Sequence, residues 1–202
     1  MQRKIAPFAL ALALLVPALA LADAAVYKAD PAHSAVGFTI RHFVSNVPGR
    51  FGDFDGTIHY DKQNPAASKV ELTVRSTSID TDNDDRDKHL RSADFFDVEK
   101  FPTLSFSSTS VKAQDADTLA VAGDLTIHGV TKQVTIPVEI LGTMQTPQGE
   151  KAGFETSFTV NRKDYGVLWN RVLDAGGTIL GDDVKVNIAI EADRQPPAQA
   201  GK

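Results

Sequence analysis

Cysteine is absent from the 202-residue chain. That excludes disulfide staples, a cysteine nucleophile and a lipid-modified cysteine as a tether. No G-x-S-x-G turn is present, so a serine nucleophile of the α/β-hydrolase kind lacks its elbow. No glycine-rich phosphate loop of P-loop or Rossmann spacing occurs. The five histidines, His33, His42, His59, His89 and His128, include no HxH or HExxH pair, and nothing local promises a metal site. The acidic run from Asp80 to Asp85 begins like a calcium loop and then fails. Asp85 stands where that loop needs glycine, and Arg91 where it needs glutamate. It reads instead as a solvated loop capping the helix that follows.

Positive charge is also scarce. The chain carries 21 Lys and Arg against 26 Asp and Glu, for a net charge of −5. A nucleic-acid partner would call for a basic face, which this balance argues against. After residue 22 no apolar segment approaches membrane-spanning length.

What is present begins with a leader. Arg3 and Lys4 precede an apolar run from Phe8 to Leu21, and Ala20-Leu21-Ala22 is a small-residue cleavage signal. Residues 1–22 are therefore expected to be a cleaved signal peptide, with export to the periplasm. Without Arg3 and Lys4 the remaining chain has 19 basic and 26 acidic residues, a charge of −7. Its length fits one domain with room for a core or a cavity.

Period-two alternation runs through that domain. Val36, Phe38 and Ile40 alternate with polar or small residues, as do Val70, Leu72 and Val74. The same grammar recurs in Leu119 to Ile127, Val134 to Ile140, Phe154 to Val160 and Val184 to Ile190. Strands with one dry and one wet face produce this pattern, and a wet face indicates an antiparallel sheet. One stretch, Asp84 to Ser92, reads as a helix with Leu90 inward and Asp82 to Asp84 as caps. On it Arg86 and His89 share a face and Asp87 turns away. Turn signals fall at Asn64-Pro65, Pro147-Gln148-Gly149, Gly176-Gly177 and Gly181-Asp182-Asp183. The Pro- and Ala-rich segment 194–202 is expected to be a disordered tail. The expected domain is thus 23–193, all-β, as a sandwich or a closed barrel.

Ten of the eleven phenylalanines follow the leader, many of them between Phe38 and Phe106. They fit either a plain aromatic core or the walls of a cavity, since a barrel of about eight strands can be filled or can enclose one small ligand.

Five ordered landmarks then resemble the YceI family of periplasmic lipocalin-like proteins associated with polyisoprenoid binding. They are YKADPAHSAVGFTIRH (Tyr27 to His42), FGDFDG (Phe51 to Gly56), RDKHLRSADFFDVEKFP (Arg86 to Pro102), GDLTIHGVTK (Gly123 to Lys132) and RKDYG (Arg162 to Gly166). The resemblance covers nearly the whole exported chain. It implies an extended eight-stranded antiparallel barrel with a short helix near one end. It also implies a long isoprenoid chain inside, with any polar head at the mouth.

On that basis the helix Asp84 to Ser92 is expected to form a polar lip, with Phe95, Phe96 and Phe101 packed below it. Expected lining residues are Phe38, Ile40, Phe54, Leu72, Phe95, Phe96, Phe106, Phe158 and Trp169. Expected head-group contacts are His42, Arg50, Arg86, His89 and Arg162, because a guanidinium can bind phosphate in bidentate fashion. Arg86 has a second role open to it, pairing with Asp87 or Asp97. His33 reads as a satisfied strand-end residue.

The leading expectation is a carrier of a polyprenyl phosphate, polyprenyl pyrophosphate, isoprenoid quinone or similar amphiphile, with no catalytic group, cofactor or metal. One alternative is a hydrolase or isomerase acting on such a lipid through Arg86, Asp87 and His89. The other is a filled barrel with a structural or stress role. A homodimer is compatible with the sequence, which shows no decisive interface.

Overall fold

The computed structural model describes residues 24–172 and 178–196. The expected signal peptide lies outside these residues, as do the Gly176-Gly177 turn and the last six residues of the expected tail. Eleven strands form one sheet in which every pairing is antiparallel. They are β1 (Ala25–Ala29), β2 (Ala35–His42), β3 (Ser45–Phe51), β4 (Phe54–Tyr60), β5 (Lys69–Arg75), β6 (Ile79–Asp80), β7 (Thr103–Ala113), β8 (Thr118–Ile127), β9 (Val130–Thr146), β10 (Gly149–Asn161) and β11 (Leu180–Arg194). One helix, α1 (Asp84–Arg91), follows β6.

Eight strands close a barrel in the order β1-β4-β5-β7-β8-β9-β10-β11, with β11 pairing back onto β1. The long strand β11 serves two partners on one edge. Ala192 to Arg194 pair with β1, whereas Leu180 to Ala189 pair with β2. β1 and β2 thus act as one strand broken at residues 30–34. Beyond β2 the sheet continues through β3 to the two-residue β6. This flank and α1 flare one end of the barrel.

The alternating strands explain the core. Their apolar parities turn inward, and burial falls on them in β4, β8 and the middle of β10. Val111, Leu119 and Phe154 pack with Tyr60 at the end away from α1, where Tyr60 and Phe154 meet edge to face at 5.6 Å. A second cluster of Val36, Phe51, Phe54, Val74 and Ile79 seals the seam between the β3 flank and β4–β5. Tyr60 and Phe154 thus narrow one barrel end, and the β2–β3 turn, α1 and the 162–172 segment surround the other.

Two local expectations change. Gly181-Asp182-Asp183 is no turn: it is a bulge inside β11, where the register with β2 shifts between Leu180 and Val184. The bulged stretch is held from outside the strand, because Arg162 donates to the Gly181 carbonyl at 2.9 Å. Arg194, expected in the tail, ends β11 opposite Tyr27, and the Gln195 N–H still donates to Val26 at 2.7 Å.

Candidate functional site

The inward parities do not meet across the barrel. They surround a cavity of about 580 Å³, lined almost wholly by apolar side chains. Phe38, Ile40, Leu72, Phe158, Val186 and Ile188 all border it and all remain only half-buried. An inward apolar residue stays half-exposed only where nothing packs against its tip. A hollow of about 580 Å³ walled by apolar side chains suits an apolar occupant, which gains dispersion contact with them.

Two phenylalanines line this space without closing it, because glycine stands beneath each. A side chain added at Gly49 would meet the tip of the Phe38 ring at 2.3 Å. One added at Gly123 would meet the Phe106 ring at 2.6 Å and the Ser107 carbonyl at 2.5 Å. Each ring occupies the volume of a missing side chain on a neighbouring strand, the close approach that interior strand glycines permit.

Three rings from distant parts of the chain meet at the mouth. His89 from α1 lies 5.0 Å from Phe95 and 5.1 Å from Trp169, both edge to face, and Phe95 lies 5.1 Å from Trp169. The His89 Nε2 is 2.8 Å from Asp94, on the segment just after α1. All three rings border the cavity.

The helix beneath is fastened in place. Its N-cap Asn83 accepts from the Arg86 N–H. Asp87 is buried and accepts from both the backbone N–H and the hydroxyl of Thr81. Arg86 donates at 2.7 Å to the Thr81 hydroxyl oxygen and at 2.7 Å to its carbonyl. Arg91 donates to the carbonyls of Thr77 and Ile79 at 2.9 and 2.6 Å. Asp87 therefore turns toward β6 and not to solvent, because its charge there satisfies two donors that burial would otherwise orphan. Arg86 binds Thr81 and neither Asp87 nor Asp97, whose carboxylate takes Lys100 at 2.8 Å.

Arg162 organises the opposite lip. It is buried, and its Nε and Nη1 donate to the carbonyls of Gly181, Val167 and Trp169 at 2.9, 2.8 and 2.8 Å. Its Nη2 reaches Asp182 at 3.3 Å. Burial draws the guanidinium below its ordinary pKa, and Asp182 acts in the opposite sense. One side chain thus ties β10, the Trp169 segment and the β11 bulge together.

Of the fourteen residues expected as lining or head-group contacts, twelve border the cavity: Phe38, Ile40, His42, Leu72, Arg86, His89, Phe95, Phe96, Phe106, Phe158, Arg162 and Trp169. Phe54 does not; it is packed in the seam cluster with Phe51 and Val74. Phe101 also departs from expectation, since its ring packs on His128 at 4.5 Å. Arg50, a proposed head-group contact, pairs with Asp80 and Asp82 away from the cavity. The supposed acid–base set is split, with Arg86 and Asp87 on Thr81 and His89 on Asp94. Residues missed include Val184, Val186, Ile188 and Ile190 of β11, whose alternation was evident, and Arg171 at the mouth. The polar groups bordering the mouth are mainly cationic or basic: His42, Arg86, His89 and Arg171.

A second polar cluster lies at the β1–β2 break. His33 Nδ1 is 2.7 Å from Asp30, and Glu191 lies close enough for the three to share a cation. Lys151 already supplies one, at 2.9 Å from Glu191, 2.7 Å from Asp193 and 3.5 Å from Asp30. The His33 hydrogen bond holds the Asp30 carboxyl below its usual range, and Asp30 raises His33 in return. The cluster reads as an ion-pair network that ties the broken strand to β10 and β11.

Comparison with known proteins agrees with this geometry. The YceI-like domain profile matches residues 27–192. Protein YceI of Escherichia coli O6:H1 is 48% identical over 150 residues, covering 72% of this chain and 78% of that protein. The crystal structure of the Campylobacter jejuni YceI protein superposes with a TM-score of 0.64 at 31% identity, covering 83% and 96% of the two chains. A Saccharophagus degradans domain described as polyisoprenoid-binding shares the fold, with a TM-score of 0.64 at 15% identity over 85% and 99% of the chains.

Proposed function

The chain belongs to the YceI-like domain family, and from that premise we propose that it is an exported carrier of a long-chain isoprenoid lipid. The observation that carries this reading is the apolar cavity of about 580 Å³ inside the barrel. Its volume falls within the range of ligand sites, about 300–1,000 Å³. Each buried CH₂ of a cargo contributes about 0.8 kcal/mol, so a long branched hydrocarbon gains most from such walls. His42, Arg86, His89 and Arg171 at the mouth suit a phosphate, a pyrophosphate or the polar ring of a quinone. The description of the Saccharophagus degradans domain is consistent with this cargo class.

The protein acts by binding and not by catalysis in this reading. Of the three groups a catalytic reading would use, Arg86 and Asp87 are committed to Thr81, and only His89, held by Asp94, is left at the mouth. The leader in residues 1–22 would place the carrier in the periplasm, where an isoprenoid needs shielding from water.

The test is native mass spectrometry of the purified protein, with organic extraction and lipid analysis. A stoichiometric isoprenoid, lost when Phe38 and Phe106 are both replaced by Asp, is the expected result. A clean mass that stays unchanged after addition of polyprenyl phosphates and quinones would overturn the proposal.

A further inference from the structure

Six large apolar side chains stand exposed among the described residues, and four of them flank the cavity mouth. Phe43 and Val44, 47% and 88% exposed, form the tip of the β2–β3 turn. Leu168 and Val172, 63% and 76% exposed, flank Trp169 and Arg171 on the facing segment. None of the four borders the cavity, but their neighbours His42, Trp169 and Arg171 do. The two tips form one surface. The Phe43 N–H donates to the Ile179 carbonyl at 2.9 Å, and the Ile179 N–H donates to Arg171 at 3.1 Å. Val172 bridges Thr178, and Asn170 bonds Leu180 through both its amide atoms.

Among the described residues two exposed arginines stand at these tips, on a chain whose total charge is negative. Arg41 is exposed, and its Nε is fixed on the Phe43 carbonyl at 3.1 Å. Arg171 is exposed beside Val172. The acid closest in sequence to the Leu180 side of the rim, Asp182, is neutralised by Arg162 and by Lys163 at 2.8 Å. Acids do occur on the other side of the mouth, where Asp84 and Asp85 are exposed in the first turn of α1. The apolar tips and their arginines therefore define one flank of the opening.

We propose that this flank is a membrane-docking surface, on which Phe43, Val44, Leu168 and Val172 enter the outer layer of an anionic bilayer and bring the mouth against it. The inference rests on the carrier reading above and identifies where that carrier meets its source. Apolar side chains on separate tips suit an interfacial layer that moulds around them, and arginine stems reach back to lipid phosphates. A cargo with a buried hydrocarbon tail then passes between tunnel and bilayer with little of its chain crossing water.

The test uses residues 23–202, which contain every strand of the barrel, and a Val44→Asp/Leu168→Asp double variant. Flotation is measured with phosphatidylglycerol-containing vesicles and with pure phosphatidylcholine vesicles. Polyprenyl phosphate uptake is then compared from vesicles and from detergent. The unaltered chain should float with the anionic vesicles. The double variant should lose roughly tenfold or more of that binding and of its uptake rate from vesicles, while its stoichiometry from detergent stays the same.

Absence of vesicle binding by the unaltered chain, or equal binding by the double variant, overturns the docking surface and leaves the carrier intact. Vesicle binding that depends on the rim, without lipid uptake from either source, overturns the carrier and leaves the surface. A concentration-dependent dimer that Val44→Asp abolishes would assign the rim to a second copy and overturn the bilayer.

Discussion

His89 and Trp169 meet edge to face across the mouth, with ring centroids 5.1 Å apart and planes at 87°. One ring comes from the only α-helix among the described residues, the other from the connection that precedes β11. Neither segment reaches the other through backbone pairing. The contact depends on α1 being fastened to Thr81 and on the Trp169 segment being fastened to Arg162.

Trp169 is the single tryptophan of the chain, so it reports on the mouth without labelling. Binding of polyprenyl phosphate should shift its emission to shorter wavelength as water leaves the ring. Stoichiometric binding by mass with unchanged emission would place the cargo's seat deeper in the barrel.

Arg162→Leu should cost about 3 kcal/mol or more, because three carbonyls lose their donor and Asp182 loses a partner. Urea denaturation measures the loss. A cost below about 1 kcal/mol would show that the lip does not depend on this guanidinium.

Two glycines beneath rings should respond differently. At Gly49 only the tip of the Phe38 ring obstructs a side chain. Gly49→Val should therefore swing that ring into the cavity, lowering lipid capacity while stability changes by about 1 kcal/mol. At Gly123 the Ser107 backbone also obstructs, so Gly123→Ala should destabilise by roughly 2–3 kcal/mol. Gly52 has nothing within 4 Å of an added Cβ and serves as the control for both. Thermal melts and lipid titrations distinguish the outcomes.

All three tyrosines should titrate above the ordinary phenol range. Burial is the main cause for each, and with the Glu150 hydrogen bond it pushes Tyr27 to about 12. A raised phenol holds its proton more tightly in the folded state. Its contribution is complete below the unfolded value of about 10 and is lost as pH rises toward about 12. Phenolate absorbance should lag behind free tyrosine until the barrel unfolds, and Tyr27→Phe should reduce the alkaline loss of stability. Ordinary titration of all three in folded protein would contradict their burial.

Asp87→Ala should free α1 at its base, costing about 2 kcal/mol for the two Thr81 donors left unpaired. Hydrogen exchange should rise over residues 81–91 before the barrel strands respond. Uniform exchange across both regions would show that the helix does not open separately.

The strands with clean alternation were legible because period two is a direct consequence of one dry and one wet face. β3 was not, since Pro48 and Gly49 interrupt its pattern; it tolerates proline in the flank beyond the eight-strand ring. The lining residues of β2 and β5 were legible from the same parity. Phe54 shared that parity with Ile58 and Tyr60 yet fell into the seam cluster, because β3 and β6 fold over its end of β4. Helical spacing turned Asp87 away from the face of Arg86 and His89 without saying what it meets. Its burial depended on Thr81, which no local period relates to the helix.

The sequence by itself determined an all-β chain, a helix read as Asp84 to Ser92 with its cap among Asp82 to Asp84, and the membership marked by five ordered landmarks. These follow from local periodicity, capping chemistry and motif order. Tertiary structure alone decided that the inward faces stop short of one another and leave about 580 Å³ between them. Alternation says which side chains turn inward, but the radius at which a barrel closes depends on how β11 returns to β1. Filled and hollow barrels both close, so the difference lies in how far the inward side chains reach across the closed ring.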